Sequence, residues 1–254
     1  KIKTERVYVL LILLFGMISV FVTFPLGNGD EGYHLSKSYN IFSMNHPKSM
    51  KKTVVRQLEY QAIGLDGDMK DFDVETFYIK KLKDVEKDSF RFNIAYDRNI
   101  TMQIDIAHIP AAIGVMVGRV IYPSYGIMLL CSRISSLLFF ALCMGAIIKK
   151  STVGKWTLFM LFSIPCIQKL ASPSYDVFSY VVFAMYSMNI FELAKLRTIK
   201  EISKQKILYT LITIILLLFC KKNYLFALAV IPFLPMFFLR ILEWFDNKKM
   251  SVKI

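Results

Sequence analysis

The chain has 254 residues, 55% of them hydrophobic, and 32 basic against 19 acidic side chains give it a net charge of +13. The apolar residues come in long blocks, which is typical of a membrane protein and argues against a soluble domain. The basic residues lie between these blocks, which argues against a nucleic-acid-binding surface. All four cysteines lie inside apolar segments without paired spacing, so they are interpreted as small hydrophobic residues: Cys131, Cys143, Cys166 and Cys220.

The first apolar block, residues 7–24, is long enough to cross a bilayer. Its basic start would also suit a signal peptide, but no small-x-small cleavage motif follows, and further apolar blocks do. We therefore predict that residues 1–24 form a cytoplasmic start and a first transmembrane helix. The lack of an initiating Met and the end soon after an apolar block suggest a trimmed chain.

A polar motif follows this span directly: Pro25-Leu-Gly-Asn-Gly-Asp30-Glu31-Gly-Tyr-His34. Its proline and glycines end the first helix, and residues 31–44 are predicted to start another, with Glu31 and His34 on one face. Two adjacent carboxylates lose hydration at the edge of a bilayer, which favours a metal site or a base that deprotonates a hydroxyl. The alternative is a solvated turn with an acidic helix cap.

Residues 25–103 are predicted to form an extracytoplasmic loop with the acidic motif, an amphipathic helix and a small subdomain. Short strands are predicted at residues 76–82 and 90–96. The acidic stretch 66–73 suggests a calcium loop, but Lys70 occupies the third ligand position, so we interpret it as a solvated loop.

The positive-inside rule then decides the predicted topology. Spans starting at residues 7, 125, 156, 176, 207 and 224 place four pieces in the cytoplasm, and all four are basic: the N-terminus, residues 149–155, residues 195–206 and the tail. Residues 104–122 would invert this order if they crossed, so we predict an interfacial or re-entrant helix on the outer face. The predicted fold class is an all-α polytopic membrane protein with about six transmembrane helices, five of them in residues 123–254.

This topology gathers polar residues near the outer membrane surface. Lys221 and Lys222 break the positive-inside rule, so we expect them to face an anionic partner, such as a phosphate, or a water-filled cavity. Snorkelling to lipid head groups is the alternative, and Asp176 at the start of a span has simple helix capping as its alternative. The outer set comprises Asp30, Glu31, His34, Asp105, His108, Ser172, Asp176, Lys221 and Lys222.

Four short motifs, taken in order, resemble a bacterial multi-pass family known as domain of unknown function 2142. They are Pro25…Asp30-Glu31-x-x-His34; Pro110-Ala-Ala-x-Gly114…Gly118-Arg119 with a later Arg133; Ala171-Ser172-x-Ser174-Tyr175-Asp176; and Lys221-x-x-Tyr224, with Lys222 as an alternative match. The chain departs from the family at Tyr96-Asp-Arg, where a Tyr-Pro-Pro-like phrase is usual. The family is also longer at its C-terminus.

The resemblance implies a relationship to GT-C type glycosyltransferases, which take sugars from polyprenyl-phosphate carriers. By that analogy, Asp30 or Glu31 is the general base, the other carboxylate orients it or helps hold a divalent cation (Mg²⁺ or Mn²⁺), and His34 tunes or shares the proton. The residues implied for carrier-phosphate binding are Arg119, Lys221, Lys222, Tyr224, Ser172 and Asp176.

The predicted function is sugar transfer from a polyprenyl-phosphate carrier to a cell-surface glycan or lipid-linked acceptor, at the outer face of the bacterial plasma membrane. The predicted partners are membrane lipid, the carrier-linked sugar and the glycan acceptor, without nucleic acid. The alternatives are a transporter or flippase for a lipid-linked or anionic solute, and a non-catalytic partner in glycan assembly. The long loop 25–103 favours the enzyme, since a transporter would more often show paired half-repeats.

Overall fold

The computed structural model describes residues 3–65, 72–93, 106–152, 164–196 and 198–237. The helices within these ranges are α1 (Thr4–Val22), α2 (Glu31–Asn40), α3 (Lys52–Ile63), α4 (Val74–Ile79), α5 (Lys83–Glu86), α6 (Ile109–Ile121), α7 (Tyr125–Lys150), α8 (Ile164–Leu170), α9 (Asp176–Leu193) and α10 (Lys204–Leu218). Short 3-10 segments cover Lys48–Met50, Ile199–Glu201 and Lys222–Phe233. The all-helical prediction is confirmed for this part of the chain.

Two of the described helices, α1 and α7, are long and apolar enough to cross a membrane. They coincide with the predicted spans at residues 7 and 125, so the six predicted crossings are matched only in part. Helix α10 has 15 residues, and the span predicted at residues 224–239 begins within the 12-residue 3-10 helix Lys222–Phe233. Most of the span predicted from residue 156 lies outside the described residues.

Helices α1 and α7 pack antiparallel along one narrow strip. The buried residues of α1 recur every fourth position, which places them on one face: Tyr8, Ile12, Gly16 and Val20. A Cβ atom on Gly16 would come within 2.3 Å of the Leu137 side chain, and one on Gly145 within 2.6 Å of Val9. The other faces of α1 remain exposed and apolar, with Leu10 67% and Phe21 64% exposed, as a lipid-facing helix requires.

Helices α6 and α7 form a tight hairpin through Gly114 and Gly118, whose Gly-x-x-x-Gly spacing puts both on one face of α6. A Cβ on Gly114 would lie 2.3 Å from the carbonyl oxygen of Cys131, so the two backbones touch there. Small residues permit this approach between helices in a membrane. Ser124 is the N-cap of α7, and its hydroxyl accepts a hydrogen bond from the Ile127 amide at 3.3 Å.

Both ends of α6 contact the same polar part of the chain. Before the helix, His108 lies against His34 of α2. After it, the Tyr122 hydroxyl donates to the Ile79 carbonyl at 2.5 Å, and the Leu82 amide donates to the Pro123 carbonyl at 2.8 Å. A helix that crossed a bilayer would carry its ends to opposite sides. These contacts support an interfacial or re-entrant α6, and the domain boundary at residues 104–122 stays a prediction.

The polar segment folds as a helical layer over α6 and α7. Its core is made by apolar side chains of α2 to α5 packed against the hairpin: Leu35, Tyr39, Met50, Val55, Phe77, Val85, Val115, Met128 and Leu129. The helix predicted from residue 31 is confirmed and ends at Asn40. The strand predicted at residues 76–82 is wrong, because the Asp73 side chain caps a helix over Val74–Ile79 and turns Phe77 into the core.

The strand predicted at residues 90–96 is represented by one isolated bridge between Phe90 and Ser43. Residues 94–96 lie outside the described residues, as do Asp105 and most of the acidic stretch 66–73. Within the described ranges, the layer therefore obtains its order from helix packing and side-chain hydrogen bonds.

Replacing Gly114 by alanine should destabilise the hairpin by about 1–3 kcal/mol, because the added methyl group meets backbone atoms that cannot move aside locally. Val117→Ala, on an exposed face of the same helix, is the matched control. Thermal unfolding of the purified protein in detergent measures both. Equal midpoints for the two variants would contradict the close approach.

Candidate functional site

A buried ion pair joins the acidic motif to the second long helix. Arg133 Nε and Nη2 donate to the two carboxylate oxygens of Glu31 at 2.8 and 2.6 Å. The two residues are 1% and 0% exposed, so this bidentate pair is shielded from water. Both carboxylate oxygens of Glu31 are therefore already occupied by a charged donor.

The same guanidinium also closes the end of α1. Arg133 Nη1 donates to the carbonyls of Val20 and Thr23 at 3.1 and 2.9 Å, and Nη2 donates to that of Phe24 at 3.0 Å. The last carbonyls of a helix have no partner within the helix, and a cation there is favourable. One side chain thus satisfies the helix end and holds the loop that follows it.

Asp30 has the opposite environment, although it precedes Glu31. Its backbone is left-handed, with φ +53°, a conformation that Asp tolerates better than most residues. Its side chain is 65% exposed and pairs with Arg56 of α3 at 2.9 Å. The acid pair of the sequence is therefore divided into an accessible carboxylate and an enclosed one.

Sequence reasoning missed a third carboxylate, Glu59 of α3, which is 2% exposed and packs against Gly32 of α2. Burial raises the pKa of Glu59, although the backbone amides of Gly32 and Glu31 oppose this. A lone Glu on an amphipathic helix carries no signal of burial. The one sequence hint is the glycine at position 32 inside a helix, which indicates a close neighbour. In the structure that neighbour is Glu59, whose Oε2 would lie 2.9 Å from a Cβ at this position.

Two histidines meet at the centre of the site. His34 Nδ1 and His108 Nε2 are 2.8 Å apart, and the two residues are 5% and 0% exposed. The ring of Tyr175 lies edge-on to both, with centroids 5.0 and 5.6 Å away. Burial lowers the pKa of His34 well below its usual value, and the charges of His108, Lys169 and Lys221 lower it further. His34 is thus held neutral at neutral pH.

Two lysines border this pair. Lys221 Nζ lies 4.0 Å from Asp176 Oδ1 and 5.6 Å from the centre of the Tyr175 ring. Lys169 Nζ donates to the Asn28 carbonyl at 3.3 Å, which ties α8 to the loop of the acidic motif. Residues of the first, third and fourth sequence motifs therefore lie together in the structure.

The other predicted phosphate-binding residues are placed less directly. The Ser172 hydroxyl is buried without a hydrogen-bond partner among the described residues. Tyr224 packs against Phe183, with ring centroids 5.3 Å apart. Lys222 is exposed at the start of the 3-10 segment.

Arg119 belongs to a different cluster, centred on Asp88. Its guanidinium lies 3.4 Å from Asp88 Oδ2, donates to the Asp88 carbonyl, and covers the Phe90 ring at 4.0 Å. Asp88 also accepts hydrogen bonds from Tyr39 and Ser43 at 2.8 and 2.6 Å. Arg119 is 7% exposed, and these contacts tie α6 to the helical layer rather than to the lysines.

The donors around the acidic motif do not fit a metal site. Glu31 gives both oxygens to Arg133, and Asp30 is paired with Arg56. Among the described residues, no three His, Cys, Asp or Glu side chains converge as a ligand set.

Long helices with exposed apolar faces, packed beneath a polar helical layer, are the arrangement expected of a membrane protein. More specifically, the chain belongs to the family described as predicted membrane protein, domain of unknown function 2142, which its sequence matches over residues 13–252. This confirms the family suggested by the four motifs. No curated protein and no solved structure matches the chain.

Neutralising the two adjacent carboxylates should change stability by very different amounts. Glu31→Gln leaves the buried guanidinium of Arg133 without its counter-charge and should cost about 3–5 kcal/mol of stability. Asp30→Asn removes an exposed pair and should change stability by about 1 kcal/mol or less. Thermal unfolding in detergent compares them, and similar losses for both variants would contradict the assignment.

The Asp88 cluster should make stability depend on acidity. Burial alone would raise the pKa of Asp88, but hydrogen bonds from Ser43, Asn45 and Tyr39 and the charge of Arg119 outweigh it, so the pKa is lowered. A carboxylate with a lowered folded pKa stabilises the fold above its unfolded pKa of about 4, and this contribution is lost as pH falls through the folded pKa.

We therefore expect Asp88→Asn to be less stable than wild type near pH 7, with the difference shrinking below about pH 4. Glu86→Gln, an exposed carboxylate in the same segment, serves as the control. The measurement is the unfolding midpoint of each protein from about pH 3 to pH 7. A stability difference between Asp88→Asn and wild type that does not change with pH would contradict the proposed role of Asp88.

Proposed function

We propose that this protein transfers a sugar from a polyprenyl-phosphate carrier to a cell-surface glycan or lipid-linked acceptor, as a GT-C type glycosyltransferase. The observation that carries the proposal is the exposed carboxylate of Asp30 beside a buried polar cluster bordered by lysines. The reaction needs a base at the acceptor hydroxyl and a cation at the departing phosphate, and the two kinds of group lie at the same edge of the membrane layer.

Asp30 is the proposed general base. Its carboxylate is exposed enough to meet an acceptor hydroxyl, while its backbone hydrogen bond to the His34 amide fixes it at the start of α2. Arg56 Nη2 donates a hydrogen bond to Asp30 Oδ1 at 2.9 Å and orients the side chain. Glu31 is proposed as a positioning residue instead, because both of its oxygens are bound to Arg133.

Lys221 is proposed to receive the phosphate side of the carrier. As the acceptor oxygen bonds to the anomeric carbon, the bond from that carbon to the phosphate oxygen breaks, and the phosphate leaves with the electron pair. The acceptor proton passes to Asp30, while the ammonium group of Lys221 stabilises the charge of the leaving group. Arg119 is not proposed for this role, because its contacts are with Asp88 and Phe90.

The proposed setting is the outer face of a bacterial plasma membrane, with the N-terminus in the cytoplasm and several crossings. The positive-inside distribution of lysine and arginine supports this orientation. The proposed partners are membrane lipid, the carrier-linked sugar and the glycan acceptor.

Asp30→Asn should abolish the sugar modification without removing the protein from the membrane. Loss of a general base lowers the rate by about 10²–10⁴-fold. The measurement is sugar analysis of the surface glycan in cells that carry only the variant, alongside its membrane abundance. Glu75→Gln, another exposed acidic residue of the helical layer, is the control and should behave as wild type.

The kind of loss separates the alternatives. A glycan that lacks one sugar supports transfer, whereas loss of the entire polymer from the surface, with precursor retained inside, supports a flippase. Unchanged glycan in Asp30→Asn cells would overturn the proposal and leave Asp30 as a helix cap.

A further inference from the structure

We propose that Lys169 and Lys221 form one binding site for a phosphate group, and that the His34–His108 pair takes up a proton when this site is filled. The site deepens the function proposed above by adding a second cation and a proton. Its test measures binding and protonation alone, so it can succeed or fail independently of sugar transfer.

The two lysines come from separate elements and border the same aromatic and histidine cluster. Lys169 belongs to α8 and is held by the Asn28 carbonyl at 3.3 Å, while the Asn28 side-chain amide donates to the Ala171 carbonyl at 3.2 Å. Lys221 stands over the Tyr175 ring, which itself contacts both histidines. Both ammonium groups lie close enough to His34 to disfavour its protonation.

The positive charge here is only partly balanced. Asp176 lies 4.0 Å from Lys221, which is a loose pair, and Lys169 donates to a neutral carbonyl, that of Asn28. The buried hydroxyl of Ser172, without a partner among the described residues, lies in the same turn between α8 and α9. Two cations and a free hydroxyl are the donors that a phosphate group requires.

Binding a phosphate there changes the electrostatics of the histidine pair. In the unbound protein, the lysine charges oppose a further positive charge on His34. A bound anion cancels that repulsion, and an imidazolium next to it is then favoured. By thermodynamic linkage, a proton on the pair must strengthen phosphate binding by the same factor by which phosphate strengthens proton binding.

The titratable and charged groups around the pair come from several elements. Tyr33 is on the same helix as His34, and Lys52 of α3 stands over the Tyr33 ring at 5.0 Å. Lys169 lies in the last turn of α8, Tyr175 and Asp176 lie at the start of α9, and Lys221 precedes the last 3-10 segment. Asp176 is the acidic group of this set, and Lys221 already lies beside it. Lys169 and Lys221 are the lysines whose charges act on His34, so theirs is the charge that a phosphate would offset.

The binding test uses the full chain in detergent micelles, with farnesyl phosphate and inorganic phosphate as separate probes followed by ³¹P NMR. Lys169→Gln and Lys221→Gln should each weaken binding about tenfold or more, the cost of a lost charged hydrogen bond. Lys169→Arg, which retains the charge, should recover most of the affinity. Lys204→Gln, an exposed lysine at the start of α10, is the control.

The proton test follows the chain's three histidines by NMR after selective ¹⁵N labelling. Filling the site should raise the apparent pKa of the His34–His108 pair and leave that of His46 unchanged. The second ionisation of a phosphate monoester, near pH 6, changes the pH dependence of phosphate binding in the opposite sense. The coupling is therefore taken as the difference in pH dependence of binding between wild type and His34→Gln. Each unit by which the pKa rises should equal a tenfold gain in affinity at low pH.

Tighter binding of farnesyl phosphate than of inorganic phosphate would support the site with a lipid head group as its ligand, and equal binding would support it with a free phosphate. Failure of both probes to bind, or binding that survives both lysine-to-glutamine changes, would overturn the site. An equal shift of His46, or no shift of the pair in the filled protein, would overturn the coupling.

Discussion

The bidentate pair between Glu31 and Arg133 is the constraint on which the arrangement of the site depends. A charge enclosed at the membrane edge is costly unless its partner is well placed, and here one guanidinium meets a carboxylate and three carbonyls at the end of α1. The pair therefore fixes three things together: where the first helix ends, how the acidic loop leaves it, and how α2 lies over α7. Asp30 and His34 take their positions from that geometry.

This constraint explains why two neighbouring carboxylates have different environments and different roles. The left-handed backbone at Asp30 directs its side chain outward, whereas the side chain of Glu31, the first residue of α2, points inward. The enclosed carboxylate gives rigidity, and the exposed one keeps an accessible charge. A site that acts at a membrane surface needs both, because a catalytic or binding group must be held firmly while it remains open to its ligand.

The polar cluster is layered by charge as well as by position. Two buried histidines lie at its centre, an aromatic ring covers them, and ammonium groups lie beyond. The Asp88–Arg119 cluster holds the helical layer to α6 separately, so the two arginines of the second motif both serve the fold. That division leaves the lysines as the cations available to an anionic ligand, in accord with the function proposed for this member of the domain of unknown function 2142 family.

The sequence by itself determined the membrane class, the bounds of the two long helices to within a few residues, the start of α2 at Glu31, and the family. Each of these follows from local composition or from motifs of neighbouring residues. The strand predicted at residues 76–82 failed because local β propensity was outweighed by the Asp73 cap and the burial of Phe77. Only the tertiary structure decided which polar groups are partners: Glu31 with Arg133, Arg119 with Asp88, His34 with His108, and Lys169 with the Asn28 carbonyl. These pairs are 102, 31, 74 and 141 residues apart in the chain, and no local pattern encodes contacts that helix packing alone creates.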